Sequence, residues 1–145
     1  MPQSDLETLI RLRKFEVDER QRAMALLLRQ EEAVLSGIDA LHQEKENEKS
    51  FMASAGLLEG STFAPYLKHW ETRHEQFLQV LVQVREQIEA ARDELSEAYR
   101  RLKTFEITQE QRDEAEALEE NRLEQIELDE MGLELHRREL NVHVL

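Results

Sequence analysis

Apolar residues recur along this chain at alternating steps of three and four. The cleaner run passes from Leu67 through Trp70, His74, Phe77, Leu81, Val84, Ile88, Ala91, Leu95, Ala98 and Leu102 to Phe105, and His74 is its only polar member. An earlier run holds Leu6, Ile10, Arg13, Val17, Arg20, Met24, Leu27, Glu31, Val34, Ile38, Leu41, Lys45, Glu48 and Met52. Such a repeat keeps one stripe on one side of a helix, and sustained over many turns it predicts a coiled coil. Between the runs lies "SAGLLEGSTFAPY", where Gly56, Gly60 and Pro65 cluster with Ser and Thr and mark a turn.

The pattern therefore predicts an all-α fold: two long helices in one antiparallel coiled-coil hairpin spanning 1–145. Helix 1 is expected at about 4–55, the turn at 56–64 and a longer helix 2 at about 65–138. "SDLE" at 4–7 reads as a capping box opening helix 1, and Pro65 suits the first turn of helix 2. "HRRELNVHVL" reads as the frayed end, with Arg137 and Arg138 matched to the negative helix terminus.

A turn centred near residue 59 makes the numbers of facing residues total 118 or 119. That register sets Met24 against Leu95, Ile38 against Leu81, Leu41 against Phe77 and Met52 against Leu67. It also brings Lys45 opposite His74, a polar layer of the kind that fixes register at a cost in stability. Helix 2 then overshoots helix 1 by roughly 30 Å at 1.5 Å per residue. The overshooting segment is acidic, with twelve Asp/Glu and two Arg over 106–135. A lone helix gains little from propensity alone, so something else should cover it.

Charge adds one contrast. The chain carries −13 overall, yet "RLRKFEVDERQR" at 11–22 holds Arg11, Arg13, Lys14, Arg20 and Arg22. The acidic total argues against nucleic acid or an anionic membrane as a partner for the whole chain. The longest apolar run, "AMALLL", is far short of a membrane span, and no apolar signal-peptide core opens the sequence. No cysteine is present, which removes disulfides, thiolate metal sites and a thiol nucleophile.

Candidate chemistry is thin. His69 and His74 stand five apart, too far round a helix to share a metal as an i, i+4 pair does. The acidic run lacks the glycine and ligand spacing of a calcium loop. No nucleophile-base motif or phosphate loop appears, so neither catalytic residues, nor a metal, nor a cofactor is expected. Tyr66, Trp70, His74 and Phe77 crowd near the hairpin tip. Their heptad places favour a core role, while their size leaves them candidates for a partner contact.

Two stretches carry a family resemblance. "LIRLRKFEVDERQR" resembles the opening of FliJ proteins, and "QIELDEMGLELHRRE" at 125–139 resembles the family's C-terminal texture. The resemblance implies a small helical component of the bacterial flagellar (type III) export apparatus, acting as a stalk without chemistry of its own. It implies three partners: the export ATPase hexamer, the export gate protein and unladen export chaperones. The implied location is cytoplasmic, peripherally associated with the membrane export apparatus and not inserted in the membrane. On that basis Arg11, Arg13, Lys14, Arg20 and Arg22 become candidates to face the ATPase, and Tyr66, Trp70, His74 and Phe77 candidates to face the gate. Neutralisation of the acidic end of helix 2 is an equal alternative for the basic segment. A generic self-associating coiled coil is the alternative for the whole chain.

Overall fold

The computed structural model describes residues 3–56 and 63–144. They form two helices, α1 (Gln3–Ser54) and α2 (Phe63–Val144), and no strand occurs among the described residues. Most of the expected turn, 57–62, lies outside the described residues. Helix α1 begins at Gln3, one residue ahead of the expected cap Ser4, whose side chain also lies outside them. Its end is closed by Gly56 at φ 71°, a left-handed conformation open to glycine without a Cβ penalty. There the Ala55 amide donates to the Phe51 carbonyl and the Gly56 amide to that of Ala53. Pro65 falls in the first turn of α2, where its missing N–H leaves no bond unmade.

By its contacts the chain divides into two compact units, Leu12–Arg100 and a terminal unit of Met1–Arg11 with Arg101–Leu145. In the first, α1 and α2 lie antiparallel. Its buried apolar side chains are Val17, Leu41, Met52, Trp70, Leu81, Val84, Ile88 and Ala98, every one a seam position of the three-four pattern. The seam's polar members escape burial by their place on its margin. Arg20 reaches across to Glu94 at 2.6 Å, and Glu31 receives Arg85 at 3.2 Å.

The register differs from the expected one by about a helical turn. Phe77, expected against Leu41, sits against Gly37 so closely that a Cβ there would lie 2.6 Å from its ring. Leu41 instead accepts a hydrogen bond on its carbonyl from the Trp70 indole N–H at 2.7 Å. A slip of one seam step keeps apolar residues facing apolar ones, so the period alone does not choose between registers. Two individual contacts do: a ring that needs a hole, and a buried N–H that needs an acceptor.

In the terminal unit Leu6 is fully buried, and Leu102, Phe105, Thr108, Gln109 and Arg112 are half-buried. Past Arg112 the burial stops. From 113 to 142 every residue but Glu134 is exposed, and α2 nonetheless continues to Val144 rather than fraying near His136. Glu134 accounts for part of that, pairing with Arg137 one turn on and with Arg138 at 3.4 Å.

Candidate functional site

One side-chain cluster in Leu12–Arg100 surrounds Trp70. The His74 imidazole stacks on the indole, with ring centroids 4.8 Å apart and planes 13° from parallel. His42, contributed by α1, meets both rings edge-on, at 5.2 Å from Trp70 and 5.1 Å from His74. The Lys45 ammonium stands 3.9 Å from the indole centroid, a cation–π contact. Lys45 and His74 thus share Trp70 as a neighbour, and the indole is the centre of the layer. His42 was not singled out by the heptad, because it lies beside the seam and not in it. Its one sequence signal is adjacency to Leu41.

Trp70 is buried and its N–H is bonded, so its surface faces the seam and not solvent. The other three tip candidates, Tyr66, His74 and Phe77, are half-buried. Tyr66 donates to Glu44 Oε1 at 3.3 Å, and Arg73 donates to the same oxygen at 3.2 Å. Burial, and after it the Glu44 carboxylate, pushes the Tyr66 phenol above its usual value. Phe77 also lines a shallow groove with Arg73, Gln76 and Val80.

The basic segment is placed residue by residue. Within Leu12–Arg100, Arg13 pairs with Glu16 at 2.9 Å, Arg22 with Glu19 at 2.7 Å, and Arg20 with Glu94 across the hairpin. Lys14 is exposed, and so is Arg11 in the terminal unit. The exposed pairs among these are worth about 0–1 kcal/mol each. Alongside them Leu12 and Phe15 are also exposed, so the segment offers apolar as well as cationic surface.

Among the described residues no group of three or more His, Cys, Asp or Glu is arranged to hold a metal ion. No helix there is long and apolar enough to cross a membrane.

Two antiparallel helices closed on a heptad seam, with the longer one continuing as an acidic arm, define a helical coiled-coil protein. Residues 2–141 match the family described as Flagellar FliJ protein, and the chain belongs to that family. Membership implies a component of the flagellar export apparatus, in a family not known for enzymes. No curated protein and no solved structure matches the chain.

Proposed function

We propose that this protein is a non-enzymatic, stalk-like adaptor that couples the cytoplasmic export ATPase to the export gate and escorts export chaperones. The family match over 2–141 is the observation that carries this reading. In this reading the protein works in the cytoplasm, held peripherally at the membrane export apparatus. Arg11, Arg13, Lys14, Arg20 and Arg22 face the ATPase in this reading. Tyr66, His74 and Phe77 face the gate, with Trp70 beneath them as their support.

The direct experiment measures binding of the purified export ATPase to the whole chain at low and high salt. Exposed charges are screened over a Debye length of ~8 Å at physiological ionic strength, so binding through the basic segment should weaken steeply with salt. Arg11→Glu with Lys14→Glu reverses two exposed charges and leaves the three ion pairs intact. This variant should melt as the parent does and bind the ATPase far less. Unchanged ATPase binding by the folded variant would remove the ATPase role from these two residues. Binding that is also indifferent to salt would remove it from the segment.

A self-associating coiled coil is the second reading, favoured by the exposed apolar side chains of the arm. Sedimentation of the pure chain separates the two. An adaptor stays monomeric, whereas a self-associating protein gains mass with concentration.

A further inference from the structure

The arm beyond Arg112 breaks the ordinary rule for a solvated helix. Nine large apolar side chains between Leu118 and Val142 are exposed, from 41% at Ile126 to 70% at Leu118 and Val142. They do not form one face. Ile126, Leu133 and Leu140 recur at steps of seven, and Leu128, Leu135 and Val142 recur at the same step two residues later. Two residues turn a helix by about 200°, so the stripes lie on opposite sides of it. Acidic residues fill the intervals: Glu127 and Glu134 on one side, Asp129 on the other. Residues 113–144 carry eleven Asp/Glu against three Arg, a net −8.

A single partner helix covers one stripe and leaves the other wet. A second copy of this chain fits poorly on two counts: it pairs −8 with −8, and an arm-to-arm pair covers one stripe of each. We infer that the arm is a two-sided docking helix, the middle member of a three-helix layer. Its occupant is a foreign pair of helices with apolar inner faces and lysine or arginine flanks, one helix on each stripe. The stripes supply the buried contact, and the carboxylates between them select basic flanks and speed encounter. This goes beyond the adaptor reading, because it concerns what the arm recognises whichever export component brings the helices.

The probe is a synthetic amphipathic helix with leucine at the heptad a and d positions and lysine elsewhere, used where sedimentation shows it monomeric. It is titrated into the whole chain by calorimetry at 0.15 M and 0.5 M salt. Two triple variants accompany the parent, Ile126→Ala, Leu133→Ala, Leu140→Ala and Leu128→Ala, Leu135→Ala, Val142→Ala, and a six-fold variant combines them. Alanine removes the apolar bulk and keeps the helix, and Trp70 fluorescence reports that the hairpin is unchanged. Two equivalents should bind the parent at both salts, each variant should lose one, and the six-fold variant should lose both. One equivalent on the parent, or no binding, overturns the inference. So does a stoichiometry indifferent to both variants or lost entirely at 0.5 M salt, since that is unspecific charge attraction. Self-association of the parent chain that either variant abolishes also overturns it, by making a second copy the occupant.

Discussion

The hairpin of Leu12–Arg100 and the arm beyond Arg112 have apolar residues at the same heptad spacing, and only the hairpin buries them. Leu41 is 2% exposed at its seam position, whereas Leu133 is 69% exposed at a stripe position of equal regularity. Periodicity therefore says that a helix has an apolar side; whether that side is a core depends on what lies across from it. In the hairpin the partner is the other helix of the same unit. In the arm every described residue from 113 to 142 other than Glu134 is exposed.

The sharpest break of the comparison is a pair of truncations. Trp70→Ala should cost about 3–5 kcal/mol of hairpin stability, through lost burial, a cavity and an orphaned Leu41 layer. Leu133→Ala should change it by no more than about 0.5 kcal/mol, as surface substitutions do. Urea unfolding followed by helix content reads both, and comparable losses would mean that the arm is packed in solution.

The next effect belongs to Gly37. Gly37→Leu should cost about 1–3 kcal/mol, because Phe77 already occupies the space a side chain needs. In a Phe77→Ala background the same change should cost much less. An equal cost in both backgrounds would show that Phe77 does not fill that notch.

Smaller still is the cross-hairpin ion pair. A double-mutant cycle on Arg20→Ala and Glu94→Ala should return about 0.2–1 kcal/mol of coupling, falling with salt. Zero coupling at low salt would leave the pair a geometric coincidence.

Least in size is a pH effect at Tyr66. Its folded pKa is raised, so its contribution is fully present below the ordinary tyrosine value of 10.0 and is lost as pH rises above it. Tyr66→Phe should flatten that part of the alkaline stability profile. A profile of the same shape in both proteins would place the loss elsewhere.

Much of the fold was legible because burial obeys the seam: Val17, Leu41, Trp70, Leu81 and Ala98 all lie on the three-four steps. The register was not, because sliding one helix by a seam step exchanges one apolar layer for another of similar size. The signals that settle it are single residues. Gly37 interrupts an otherwise glycine-free helix 1 interior, and Trp70 carries the chain's only indole N–H. The length of α2 was underestimated for a related reason. Arg137 and Arg138 suit a helix end, but both pair with Glu134 and let the helix run on to Val144. Of the basic segment, composition showed the charges and could not show that Arg13, Arg20 and Arg22 find carboxylates in their own unit.

The Phe77 ring in the Gly37 notch also has a mechanical meaning. Two smooth helices under a lengthwise pull can creep past each other, since each seam step restores equivalent apolar contacts. Here a step requires the ring to climb out of its recess and the Trp70 N–H to release Leu41, both at once. The notch works as a detent. Axial load on one strand of the hairpin is passed to the other with little lost to sliding, up to the force that unseats the ring.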